Sequence, residues 1–130
     1  MASAMEIVKY FCEQKEWKYS NLALQKLLYL TNVIYIGKHK EALMPERFQA
    51  WSYGPVCPPI YHKLKIFGAN PVKPMTFIKK QNNIDNDREH EVCTTAVRLF
   101  GDMQPTDLIQ LTHRENSVVF EDVVGRMLKI

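Results

Sequence analysis

Three cysteines (Cys12, Cys57 and Cys93) and four histidines are the residues here whose types could support nucleophilic or metal chemistry. Their spacing argues against both. His90 and Cys93, three apart and so on one face of a helix, form the nearest pair at ligand spacing. Structural zinc takes four such ligands, usually as two close pairs, and the sequence offers no second pair. Cys57 and His62 are five apart across a helix start, a separation that does not bring a thiol onto an imidazole. A cysteine nucleophile also needs an orienting group and an oxyanion hole, and nothing advertises either. The five glycines make no phosphate-binding loop. The acidic pairs Glu13 with Glu16, Asp85 with Asp87 and Glu121 with Asp122 read as solvated faces and loops. The expectation is a protein without catalytic residues, cofactor or metal.

Helical spacing accounts for most of the apolar residues. Ser3 and Glu6 have the spacing of a capping box, and Ala4, Ile7, Val8, Phe11 and Cys12 follow as one stripe, so a helix is expected over 4–15. Ser20 caps a second helix expected to end near Ile36, with Gly37 as its left-handed terminator. Leu24, Leu27, Leu28, Thr31, Ile34 and Tyr35 form one face of it, and Leu22, Tyr29, Val33 and Ile36 cover much of the rest. A helix apolar nearly all round is buried nearly all round, which makes this the central element. Residues 47–53 alternate Phe48, Ala50 and Ser52 with Gln49, Trp51 and Tyr53, the pattern of a short strand. Tyr53-Gly54-Pro55-Val56 reads as a turn, and Pro58 and Pro59 open a third helix with Ile60, Leu64 and Phe67 inward and Gly68 at its end.

Beyond it, residues 69–87 read as a loop in which Met75–Ile78 could pair with the earlier strand. A fourth helix over 88–100 turns Val92, Ala96, Leu99 and Phe100 inward and stops at Gly101. A fifth runs from Pro105 to near His113. Ser117 caps a last one with Phe120, Val123, Val124, Met127 and Leu128 buried. The fold class is therefore mainly α: one domain over 1–130, with five to six helices around a buried central helix and at most a two-stranded ribbon. The chain is long enough for one core.

Charge gives little direction. Seventeen Lys and Arg against 14 Asp and Glu leave +3, well short of what marks a nucleic-acid binder by itself. A helix-turn-helix reading fails on its second helix: the Ser20 helix is too apolar for a groove, and the Pro59 helix follows it too distantly. Three thiols at wide spacing indicate a reducing compartment. The start MASAMEIVKYF has no signal-peptide pattern, and Leu22–Ile36 is too short and too interrupted for a membrane span. A cytoplasmic protein is expected.

What is left is the cluster Phe48, Trp51, Tyr53, Pro55, Val56 and Tyr61. Part of it must cap the core. The rest suits a partner surface, because Trp and Tyr supply large rigid contact area at low entropy cost. Lys26, alone on so apolar a helix, must either reach the surface by its stem or pair with a buried acid. His113 fits a helix-capping role.

Three segments in order resemble the Panacea domain family, which includes SocA-like antitoxins and phage-associated proteins. They are Asn21-Leu-Ala-Leu-Gln-Lys-Leu-Leu-Tyr-Leu30, then Phe48-Gln-Ala-Trp-Ser-Tyr-Gly-Pro-Val-Cys-Pro58 with Tyr61, then Leu111-Thr-His113 with Glu115. Members often carry a Trp soon after the Thr-His stretch, where this chain has Asn116 to Phe120. The resemblance implies a helical antitoxin that neutralises, by direct contact, a toxin encoded by an adjacent gene. It also implies an alternative, in which the protein is an adaptor delivering its toxin to an AAA+ protease. Trp51, Tyr53, Gly54, Pro55, Val56 and Tyr61 are the expected toxin contacts. The motif residues Leu24, Gln25, Lys26, Leu27, Leu28, Tyr29, Thr112 and His113 are expected to be structural. Nucleic acid and membrane are not expected partners.

Overall fold

Ser3 starts the first helix, α1 (Ala4–Gln14), by accepting the Glu6 amide on its hydroxyl at 3.2 Å. The computed structural model describes residues 1–52, 54–77 and 84–113, with Thr112 and His113 described by backbone only. All five stripe residues of α1 are buried. Glu16 and Trp17 then take left-handed backbone angles, φ 55° and 59°, and reverse the chain toward Ser20.

Helix α2 (Asn21–His39) is capped by Ser20 and touches α1, the ribbon and every other α-helix in the described residues. Its buried polar residues satisfy themselves locally where they can. Thr31 donates to the Leu27 carbonyl at 2.7 Å and Asn32 to the Leu28 carbonyl at 2.9 Å. The helix does not stop at Ile36. Gly37 is helical, and Lys40 is the left-handed terminator at φ 58°. The last turn has its own support: the His39 ring packs on Tyr35 at 4.7 Å, and the Lys40 amide donates to the Ile36 carbonyl at 2.9 Å. One glycine disfavours a helix by only about 1 kcal/mol, so that support prevails.

The ribbon pairs β1 (Gln49–Trp51) with β2 (Gly54–Val56) antiparallel, Trp51 opposite Gly54 and Gln49 opposite Val56. This corrects two expectations. Gly54-Pro55-Val56 is a strand rather than part of a turn, and Met75 lies in a 3-10 turn, Pro74–Phe77, rather than in a strand. Gly54, which opens β2, supplies the φ of 104° that an L side chain resists. Nor does exposure alternate along β1. All three residues are exposed because β1 lies outside β2, which is the strand that meets α2 and α5.

Helix α3 (Pro58–Leu64) begins on two prolines, where absent amides do no harm, and continues as a 3-10 turn, Lys65–Phe67, closed by Gly68 at φ 57°. Ile60 and Leu64 are buried and Phe67 is partly so. Asn86 caps α4 (Asp87–Phe100), which buries Val92, Cys93, Ala96 and Phe100 and leaves Leu99 half-buried. It ends at Gly101, where a Cβ would come within 2.9 Å of the Tyr19 hydroxyl. That hydroxyl donates to the Gly101 carbonyl at 2.8 Å, so glycine permits the contact. Helix α5 (Pro105–His113) buries Leu108. The sixth helix expected from Ser117, with Phe120, Val123, Val124, Met127 and Leu128, lies outside the described residues. Among them the architecture is mainly helical: five α-helices and a two-stranded ribbon, with α2 at the centre. None of these helices is long and apolar enough to cross a membrane.

Candidate functional site

Three polar side chains of α2 converge on one segment, the backbone from Pro55 to Tyr61. Asn21, Gln25 and Lys26 are buried, at 5%, 1% and 0% exposure. Gln25 Oε1 accepts the Cys57 amide at 2.7 Å, and its Nε2 donates to Asn21 Oδ1 at 3.1 Å. Asn21 Nδ2 in turn donates to the Tyr61 carbonyl at 3.5 Å. Lys26 Nζ donates to the Pro55 carbonyl at 2.8 Å. Side chains of one helix thus fix the end of β2 and the start of α3. Cys57 caps α3 with no side-chain bond, so its amide would otherwise be a buried orphan.

Lys26 resolves neither of the ways expected of it. It does not reach the surface, and no acid among the described residues pairs with it. Its partner is a carbonyl dipole. Burial lowers its pKa from the ordinary 10.5 to about 8, because the ammonium has lost hydration that one hydrogen bond does not replace.

Trp51 stands on the outer side of this anchored segment. It is 37% exposed, with its ring edge-on to Tyr61 at 4.9 Å. Its indole N–H donates to Gln49 Oε1 at 3.0 Å. The ring is held on two sides and still faces solvent. Pro55, Gly54 and Tyr61 are half-buried. Val56 is buried at 5% and belongs to the inner side of the ribbon. Tyr53 lies outside the described residues, as do Glu115, Asn116 to Phe120, and the side chains of Thr112 and His113. Leu24, Leu27 and Leu28 are fully buried, and Tyr29 is half-buried with its ring against Phe48 at 5.3 Å.

All three thiols are free and buried, whereas His62 and His90 are exposed. Cys57 is buried, and desolvation raises its pKa against a backbone bond at Ile60 that lowers it, with the Glu46 charge raising it further. His62 is exposed, its ring against Tyr61. His90 is exposed against the Tyr10 ring, whereas Cys93 is fully buried and its thiol is pushed up to about 12 by burial and by Glu89. Among the described residues no group of three His, Cys, Asp or Glu could hold a metal.

Sequence reasoning missed Asn21 as a member of the anchoring set. Its signal is present: Asn21 and Gln25 are polar at i, i+4 on a largely apolar helix, with Asn32 on the same face.

A helix whose buried polar side chains hold an aromatic ribbon and a Pro-Pro helix start gives this small helical protein a preformed aromatic face. The sequence model of the family described as Antitoxin SocA-like, Panacea domain, matches residues 24–117, and the chain belongs to that family. Antitoxin SocA of Caulobacter vibrioides (strain NA1000 / CB15N) is 43% identical to it over 54 residues, which are 42% of this chain and 27% of the relative. The chain therefore covers about a quarter of that curated relative's length. No solved structure matches it.

Proposed function

We propose that this chain is an antitoxin that neutralises a cognate toxin protein by direct binding, and that it acts as one domain with no chemistry of its own. The contact face is the outer side of the ribbon and the adjoining front of α3, with Trp51 as anchor, Tyr61 and Pro55 beside it and Gly54 setting the strand. Tyr53 belongs to the same segment. The observation that carries this reading is the state of Trp51: exposed, yet fixed by Gln49 and Tyr61 on backbone clamped from behind by Gln25 and Lys26. A side chain already held in place loses little entropy on binding, which is what makes an aromatic anchor effective. Family membership supports a toxin as the partner.

The test is co-expression with the protein encoded beside this chain's gene, then calorimetry on the purified pair. Wild-type protein should restore growth and form a stable complex. Trp51→Ala should weaken binding by about 2 kcal/mol, roughly thirtyfold, while unfolding stability changes little. Unchanged affinity in a folded Trp51→Ala variant would remove the ribbon from the contact face. Toxin half-life decides the mode of action: it is unchanged under neutralisation, and shortened only when an AAA+ protease is present if the chain is an adaptor.

A further inference from the structure

No Asp or Glu occurs between Glu46 and Asp85. The described part of that stretch carries Arg47, Lys63, Lys65 and Lys73, all exposed. The ion pairs of the described residues lie elsewhere: the N-terminal ammonium faces Glu89, Lys15 faces Asp102, Lys18 faces Glu16, Lys38 faces Glu91 and Arg88 faces Glu41. Lys63, Lys65 and Lys73 have no such partner among the described residues.

Of these, Lys73 lines a groove of about 530 Å³ between the 3-10 turn after α3 and the segment leading to Pro74, and Lys65 directly precedes its lining residue Ile66. That volume is in the range of roughly 300–1,000 Å³ typical of ligand clefts. Its lining is mostly apolar, with Trp17, Ile66, Phe67, Pro71, Val72 and Pro74 beside the polar Asn70 and Lys73. Val72 is 1% exposed and forms the floor, whereas Ile66 is 83% exposed, the highest of the large apolar side chains that face solvent. Met75, next to Pro74, is 64% exposed. The nearest acid in sequence, Glu16 beside Trp17, is already matched by Lys18 at 3.8 Å.

We infer that this groove, lined by Lys73 and set in a lysine-bearing stretch without acids, is a second docking site, separate from the ribbon, for an acidic polypeptide segment that carries apolar side chains. The lysines supply the charge complementarity, and the apolar floor supplies a reason for side chains to enter. A nucleic acid fits less well. Single strands are held by stacking bases on exposed aromatic rings, whereas the rings that line this groove, Trp17 and Phe67, are half-buried and its most exposed apolar side chain is Ile66. A second copy of this chain would bring the same positive face. An exposed apolar patch ringed by charge is the ordinary form of a protein-docking surface, and rim charges act on encounter rate and specificity.

The experiment uses the full chain and fluorescein-labelled probes read by anisotropy: repeats of Glu-Glu-Leu, of Glu-Glu-Ser and of Lys-Lys-Leu, and oligothymidylate. The Glu-Glu-Leu peptide should bind in a salt-sensitive manner, and each other probe should bind at least about tenfold more weakly. The double variant Lys65→Glu/Lys73→Glu should weaken Glu-Glu-Leu binding by about tenfold and Ile66→Ser by severalfold, while Lys40→Glu/Arg98→Glu, remote and also exposed, should change it less than about twofold. All of these positions are exposed, so folding is preserved, and circular dichroism checks it. The inference is overturned if Glu-Glu-Ser or oligothymidylate binds as tightly as Glu-Glu-Leu. It is equally overturned if the remote pair weakens binding as much as the groove pair. Neither result touches the ribbon, because no toxin is used.

Discussion

The two sides of α2 are held in different ways. Toward α1 and α4 the contact is apolar: Ile7, Phe11 and Cys12 of α1 and Val92, Cys93 and Ala96 of α4 are buried in the same core, and the ion pairs at the rim are on the surface. Toward the ribbon and α3, α2 presents Asn21, Gln25 and Lys26, whose targets are backbone atoms. Apolar packing rewards filled volume and tolerates sliding. A hydrogen bond to a particular amide or carbonyl fixes position to a fraction of an ångström. The side built for stability is greasy, and the side that presents Trp51 is registered.

The largest effects separate these roles. Phe11→Ala should destabilise the protein by about 3–5 kcal/mol, since it leaves a cavity under a side chain with 0% exposure. Toxin affinity of the remaining folded protein should not change. Gln25→Leu should reduce stability less, by about 1–3 kcal/mol, because it orphans the buried Cys57 amide. It should also weaken toxin binding, because the segment behind Trp51 loses its register. Denaturant titration and calorimetry on both variants check this. If Phe11→Ala impairs binding as much as Gln25→Leu does, the two sides are not distinct.

The same distinction governs what could be read from the chain. Helices α1 and α4 were legible because their signals are local: the Ser3 cap with Glu6 for α1, and the stripe from Val92 to Phe100 with the stop at Gly101 for α4, whose cap at Asn86 was not read. The central place of α2 was legible from its all-round apolarity. The partners of Gln25 and Lys26 were not, since they are backbone groups 32 and 29 residues away and a peptide group has no sequence signature. The second strand was missed for a related reason. Gly54-Pro55 has turn composition, and only the pairing across Ser52 and Tyr53 makes it a strand. The exposure of Trp51 was open from sequence, because it depends on which strand lies outermost.

Lys26 sharpens the comparison through pH. Its pKa falls from 10.5 unfolded to about 8 folded, so between those values the unfolded chain binds the extra proton. Stability from this group therefore rises with pH across that window and is lowest below it. Lys26→Met removes the titration. The stability of wild type relative to Lys26→Met should thus improve as pH goes from 8 to 10.5, and be flat below 8. The buried thiols of Cys12 and Cys93, both pushed up to about 12 chiefly by burial, act in the opposite sense above pH 9. They are common to both proteins and cancel in the difference. A difference that stays constant with pH would mean that Lys26 is hydrated in the folded state.

The smallest effect belongs to the apolar side's surface. Lys38 and Glu91 join α2 to α4 at 3.6 Å, but their side chains are 43% and 69% exposed. Water screens such a pair, and holding two long side chains together offsets most of the attraction. Lys38→Ala should therefore shift unfolding stability by less than about 0.5 kcal/mol. Chemical denaturation of Lys38→Ala, Glu91→Ala and the double variant isolates the coupling. A coupling well above 1 kcal/mol would show that this ion pair, and not packing alone, sets the position of α4 on α2. The contrast between a greasy side and a registered side would then fail where it is most exposed to test, because charge would be fixing register on both.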